Sequence, residues 1–230
     1  ATFPLLGSIP WSWASNEVLL AVPTFIFMGF LAFYSGVSTD LFESAKKWLG
    51  RLPGGLAIAT TAACTGFAAC TGSSVAAAAA MGTVALPEMK RAMYSDRLAT
   101  GVVAAGGTLG ILIPPSGGFV LFGLLTETSI GRLFMAGIFP GVLLTFLFIM
   151  VVTVFTMVKP GSAPPGRKTS FKEKLQSLRY TWAMVLLFLL VMGGIYGGIF
   201  TPSEGGGIGA FGALVISIAG RRLTRKNFLA

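Results

Sequence analysis

The 230-residue chain is 54% hydrophobic and only 11% charged, with a mean hydropathy of +0.80. A soluble domain of this length needs more polar surface than that, so the composition predicts an all-α polytopic membrane protein. The formal charge of +9 does not point to nucleic acid, because the cations cluster in loops between apolar spans, where the positive-inside rule puts them.

In chain order, Ala1 to Asn16 shows no signal-peptide pattern and opens without Met, which predicts an interior fragment of a longer protein. Trp11 and Trp13 suit an interfacial aromatic belt ahead of a charge-free transmembrane span, Val18 to Thr39. Asp40 then reads as a helix cap with Glu43 reaching back to it. Leu41, Phe42, Ala45, Trp48 and Leu49 share one face of an amphipathic helix lying along the membrane surface and ended by Gly50.

Leu52 to Pro87 carries no charge, yet it is too rich in Ala, Gly, Ser and Thr to face lipid well. Thr71-Gly72-Ser73-Ser74 divides it into two arms of roughly 17 residues, each about 26 Å long if helical and so short of a hydrocarbon core of about 30 Å. Basic residues flank both ends. The stretch therefore reads as a re-entrant hairpin buried in protein, with its Ser-Ser tip near the bilayer centre. Two thin full crossings would return to the same side equally well, but the short arms, the polar tip and the lack of Trp or Tyr from Leu49 to Met93 favour the hairpin. Cys64 and Cys70 lie about 9 Å apart on one arm, beyond disulfide range. With no His in the chain and no Cys-x-x-Cys, a zinc site has no support.

A basic turn, Glu88 to Arg97, leads to Leu98–Thr126, an uncharged run that Pro114-Pro115-Ser116-Gly117-Gly118 must break near its centre. Non-helical backbone at that depth survives only where it is buried or lines a polar cavity. Leu133 to Val158 is a further span, Lys159 to Tyr180 a polar cytoplasmic linker, and Thr181 to Phe200 another crossing. Thr201-Pro202-Ser203-Glu204 matches a capped helix start, and Arg221, Arg222, Arg225 and Lys226 close the helix that follows. With the hairpin returning to its own side, every Lys and Arg except Arg132 falls on one face, so the start lies outside and the hairpin mouth and end lie inside. The predicted units are 1–51 (scaffold span and arm helix), 52–126 (transport unit: hairpin 52–87, broken helix 98–126), 127–158 (span), 159–180 (linker) and 181–230 (start of a second repeat).

The two breaks, TGSSVA and GGTLGILIPPS, both place loose backbone and hydroxyls at mid-membrane. Unwound carbonyls with Ser or Thr hydroxyls suit Na⁺, and helix N-termini at the same cavity suit an anion. Small residues also serve close helix packing. Glu17, Asp40, Glu43, Glu88, Asp96, Glu127, Glu173 and Glu204 all fall at span ends or in loops. A proton relay inside the membrane is therefore missing, which favours cation coupling through neutral oxygens. A serine hydrolase using Ser73 or Ser74 lacks any general base, so no enzyme is expected. A channel lacks a ring of charge. A non-transporting scaffold or assembly subunit stays open as the alternative.

At GGLAIATTAACTGFAACTGSSVAAAAAMGTVALPEM, RLATGVVAAGGTLGILIPPS, SIGRLFMAGIFPGVLLTFLF and IYGGIFTPSEGGGIGA the chain resembles the large membrane subunit of TRAP (tripartite ATP-independent periplasmic) transporters, the DctM-like permeases. The resemblance implies an elevator-type secondary transporter of the bacterial inner membrane, built from inverted repeats. It implies Na⁺-coupled uptake of an organic acid such as a C4-dicarboxylate or sialic acid. The implied partners are a small DctQ-like membrane subunit and a periplasmic DctP-like binding protein. Residue 1 would lie on the periplasmic side and residue 230 on the cytoplasmic side. By the same resemblance Gly72, Ser73, Ser74, Gly107, Thr108, Gly110, Pro114 and Ser116 form a Na⁺ site, and Ser73, Ser74, Pro115 and Ser116 border the substrate. The family's subunit is roughly twice as long, so a second hairpin and its half of the cavity are expected elsewhere.

Overall fold

The computed structural model describes Ser8, Trp11 and residues 15–164 and 169–220. Trp13, the Pro165-Gly166-Arg167-Lys168 part of the polar segment and the Arg221, Arg222, Arg225, Lys226 cluster lie outside the described residues. Those described form ten α-helices, one 3₁₀ turn and no strand. The helices are α1 (Glu17–Tyr34), α2 (Val37–Leu49), α3 (Gly55–Thr71), α4 (Ser74–Arg91) and α5 (Asp96–Leu112). They continue as α6 (Gly117–Leu125), α7 (Ile130–Val158), α8 (Phe171–Leu178), α9 (Trp182–Tyr196) and α10 (Pro202–Ala219), with the 3₁₀ turn at Pro160–Ser162. By length and composition α1 and α7 can each cross a membrane, and the bent pairs α5–α6 and α8–α9 can each make one more span. The described residues are thus all-helical, with apolar helices that suit a multi-pass membrane protein.

The Asn16 side chain caps α1, accepting the Val18 N–H at 2.9 Å. The helix stops earlier than Thr39, because Gly36 adopts a left-handed conformation at φ 78° that an L side chain disfavours. Asp40 is therefore not a cap. It sits inside α2, its N–H donating to the Gly36 carbonyl at 3.0 Å, and Glu43 turns instead to Lys46 at 3.2 Å. The apolar face of α2 docks on protein: Phe42 is fully buried, and Leu41 lies so close to α3 that a Cβ on Gly66 would stand 2.9 Å from it.

The two-armed hairpin forms with its break at Gly72-Ser73. Nearly all of α3 is buried, in a cluster with Phe42, Met81 and Met89, so its Ala, Thr and Cys side chains face protein rather than lipid. Its mouth is fastened shut. Lys46 Nζ bonds Glu88 at 2.7 Å, and the buried Tyr94 hydroxyl accepts the Leu56 N–H, one of the α3 donors that lack a helical partner, at 3.2 Å. Burial opposes the Lys46 charge, but the bonds to Glu88 and Glu43 outweigh it and hold its pKa above the usual value. Pro87 does not end the second arm. The helix runs on to Arg91, because Glu88 and the fully buried Met89 anchor its last turn and a proline deletes only one ladder bond. The turn follows at Met93, φ 59°.

The segment 159–180 is more ordered than a linker. The Glu173 carboxylate accepts the Ser170 N–H at 3.1 Å and starts α8. That helix clamps onto α2 through Thr169 Oγ1 to the Lys47 carbonyl at 2.7 Å and Trp48 Nε1 to the Lys174 carbonyl at 3.1 Å. Helix α7 begins at Ile130, ahead of Leu133, with Arg132 in its first turn. The span expected over Thr181–Phe200 stops at Tyr196, where Gly197 and the left-handed Gly198 turn the chain.

The Thr201-Pro202-Ser203-Glu204 start is as expected: Glu204 accepts the Thr201 N–H at 2.7 Å, and Thr201 Oγ1 accepts the Glu204 N–H at 3.3 Å. Helix α10 then lies along α1 by way of glycines. A Cβ at Gly209 would collide with the Met28 sulfur and stand 2.7 Å from Val191 of α9, whereas one at Gly207 would meet nothing within 4 Å. Gly209→Leu is expected to lower the stability of the complete subunit by about 1–3 kcal/mol through overpacking. Gly207→Ala, by contrast, should hold or raise it by up to about 1 kcal/mol. Thermal melting in detergent reads both; equal melting temperatures for the two variants would refute this packing.

Candidate functional site

The site grows from two helix breaks that dock on each other. Helix α3 ends because Gly72 takes a left-handed conformation, φ 58° and ψ 14°, its N–H closing on the Ala68 carbonyl at 3.0 Å. Ser73 is extended and caps α4, Oγ accepting the Ala76 N–H at 3.4 Å. Helix α5 ends at Leu112, and Ile113 to Ser116 runs extended into α6, which leaves at 42° to α5. Pro114 and Pro115, joined by a cis peptide, supply no N–H donors.

Between the breaks the Gly117 N–H donates to the Gly72 carbonyl at 3.1 Å. Contact is backbone on backbone. A Cβ at Gly110 would stand 2.7 Å from the Ser73 carbonyl carbon and oxygen and from the Ser74 nitrogen. A Cβ at Gly107 would stand 2.7 Å from Ala78 Cβ and 3.3 Å from the Ser74 carbonyl oxygen. One at Gly72 would collide with the Pro115 carbonyl oxygen. Only glycine permits these approaches, since any side chain would wedge the tip away from the break.

Gly72, Ser73, Ser74, Gly107, Gly110, Pro115 and Ser116 thus gather at one locus, with Pro114 buried beside them. Thr108 does not join them. It is exposed, and its hydroxyl bonds back to the Ala105 carbonyl of its own helix at 2.6 Å. Two residues join that the sequence reading left out. Thr71 is fully buried and presses on Gly29 of α1, where a Cβ would stand 2.8 Å from Thr71 Cβ; Gly117 supplies the linking N–H. No local pattern marks Gly29, which lies in an unbroken apolar run.

The C-terminal ends of α3 and α5 and the N-terminal ends of α4 and α6 all meet here. Terminal carbonyls carry partial negative charge and terminal N–H groups partial positive charge, so the locus offers partners of both signs side by side. The fully buried Ser116 commits its proton to the Ile111 carbonyl, which leaves its lone pairs for an incoming donor or cation. Every Asp and Glu among the described residues lies in a loop, at a helix end or on α2, and no acidic or His-Cys cluster able to hold a metal occurs among them. The oxygens gathered at the locus are all neutral. That set suits a weakly held monovalent cation better than a divalent one, which calls for carboxylates.

Residues 5–230 match the family described as tripartite ATP-independent periplasmic transporter, DctM component. The chain is 41% identical over 197 residues to the C4-dicarboxylate TRAP transporter large permease protein DctM of Pseudomonas aeruginosa, covering 86% of this chain and 46% of that one. It is 37% identical over 225 residues to the isethionate TRAP transporter permease protein DctMQ of Oleidesulfovibrio alaskensis, covering 94% and 35%. It is 35% identical over 226 residues to the sialic acid TRAP transporter large permease protein SiaM of Vibrio cholerae, covering 98% and 51%. The chain therefore spans about half the length of the curated relatives it matches, or less.

Gly110→Ala is expected to push the hairpin tip off the break and lower stability by about 1–3 kcal/mol. Gly82→Ala, in the same hairpin but with nothing nearer than Leu86 Cδ1 at 4.0 Å, should not. A Gly110→Ala protein that melts with the wild type would show that the two breaks do not interlock.

Proposed function

This chain belongs to the DctM component family of tripartite ATP-independent periplasmic transporters, and on that premise we propose that it forms the ion- and substrate-holding half of a Na⁺-coupled importer of an organic acid. The observation that carries the proposal is the docking of two helix breaks, Gly72-Ser73 on Pro114–Ser116, where loose backbone meets the mid-helix glycines Gly107 and Gly110. Na⁺ is held by carbonyls at the α3 and α5 ends with the Ser73, Ser74 and Ser116 hydroxyls. The anionic group of the substrate faces the N-terminal ends of α4 and α6. C4-dicarboxylates, sialic acid and isethionate, the solutes that name the relatives, all carry such a group.

Coupling follows from the shared locus of helix ends. A cation among the carbonyls offsets the repulsion that the substrate anion would feel from those same oxygens, so each binds better with the other present. The hairpin and broken helix move as one body, because glycines bring their backbones together and leave only short side chains such as Ala78 and Cys64 between them. In this reading the subunit is of the elevator type and sits in the inner membrane, with residue 1 on the periplasmic side and the hairpin mouth on the cytoplasmic side. It works with a small membrane subunit and a periplasmic binding protein that delivers the solute.

In the complete subunit, reconstituted with its partner subunits, Ser73→Ala with Ser74→Ala should raise the Na⁺ concentration for half-maximal uptake by about tenfold or more, the effect of losing hydrogen-bonding oxygens at a charge. Ser73→Thr, which keeps the hydroxyl and the helix cap, should restore most of it. Uptake with unaltered Na⁺ dependence in the double variant would remove the tip serines from the site, and no Na⁺-driven flux in the wild-type complex would leave a scaffold role.

A further inference from the structure

At the other end of α5 from the ion site lies a groove of about 870 Å³ between α5, α7 and the 3₁₀ turn. Its walls are apolar, Leu98 and Gly101 on one side and Phe148 and Val151 on the other, and it ends at two cations, Arg97 and Lys159. The Ser95 N–H donates to the Ser162 carbonyl at 3.0 Å, which holds the start of α5 level with the end of α7. Both cations therefore stand at one membrane boundary, while Gly101 and Ala105 run inward; from Arg97 to Ala105 is about 12 Å along the helix.

Neither cation has an ion-pair partner among the described residues. The nearby Asp96 is taken by Lys90 at 3.5 Å, and Lys159 Nζ only overlies the Phe155 ring, 5.7 Å from its centre. The described residues leave the groove unfilled: a Cβ added at Gly101 would meet nothing within 4 Å, and Val151 is 60% exposed. A paired cationic rim over an apolar trough matches one molecular shape, a negatively charged headgroup with a hydrocarbon chain below it.

We propose that this groove binds an anionic phospholipid, its phosphate between Arg97 and Lys159 and one acyl chain along Gly101 and Phe148. The lipid then fills the seam between α5, which carries the ion site, and α7. This assignment stands on the groove alone and is independent of the Na⁺ reading.

Native mass spectrometry of the complete subunit in mild detergent, titrated with phosphatidylglycerol or phosphatidylcholine, tests it. One phosphatidylglycerol should be retained in preference to phosphatidylcholine. Arg97→Gln should weaken retention about fivefold and Arg97→Gln with Lys159→Gln about thirtyfold, as expected for two cations at a membrane boundary. Gly101→Leu should block the trough and abolish retention with no loss of melting temperature, which separates lipid loss from misfolding. Absence of a retained lipid, equal retention of both lipids, or retention unaffected by Arg97→Gln with Lys159→Gln or by Gly101→Leu would overturn the proposal.

Discussion

The structure depends on one constraint: backbone that leaves a helix inside a membrane must find its partners in protein. Each unsatisfied N–H or C=O there costs several kcal/mol. The chain breaks twice within its apolar helices, and each break answers the other. The Gly117 N–H of one closes on the Gly72 carbonyl of the other at 3.1 Å, and Gly107 and Gly110 bring α5 against Ser73 and Ser74. A break alone would be a defect. Two together make a compact polar locus of neutral oxygens and N–H groups, with buried Thr71 beside it against Gly29 of α1.

The rest of the fold holds that locus in place. The hairpin arms stay together at their mouth because Tyr94 accepts the Leu56 N–H, and α2 braces both arms, the second through Lys46–Glu88 and the first through Phe42 and Leu41. Helix α8 in turn clamps α2. Helix α1 reaches the tip through Gly29 and carries α10 on its other flank. Packing of small residues, rather than hydrophobic burial against lipid, sets these distances. The apolar exterior of α7, with Phe139, Phe146 and Val154 exposed, remains the surface that meets hydrocarbon.

Much of this was legible in the sequence, for physical reasons that differ by element. Arms of roughly 17 residues around Thr71-Gly72-Ser73-Ser74 announce a helical hairpin, and Pro114-Pro115 cannot continue a helix, so both breaks could be located. The Thr201–Glu204 box is local chemistry and was equally plain. Other features depend on tertiary context. Tyr34-Ser35-Gly36 carries no charge, so the first span reads on to Thr39 until Gly36 is seen at φ 78°. Pro87 reads as a stop, yet the anchors on Glu88 and Met89 carry the helix past it. The Ser170–Glu173 box was visible but hidden by the charge of its surroundings. Thr108 shows the limit of motif proximity: Gly107 and Gly110 share a helical face, and the residue after Gly107 is turned some 100° away from it.

The central claim is that the interlocked breaks hold a small monovalent cation through neutral oxygens. A cation bound only by the folded state raises its stability with concentration. The most direct measurement is therefore the melting temperature of the complete subunit, titrated with Na⁺ against K⁺ at constant ionic strength. The account predicts a Na⁺-specific rise that disappears in Ser116→Ala. A melting temperature indifferent to which cation is present, or a rise of the same size in Ser116→Ala, would contradict it.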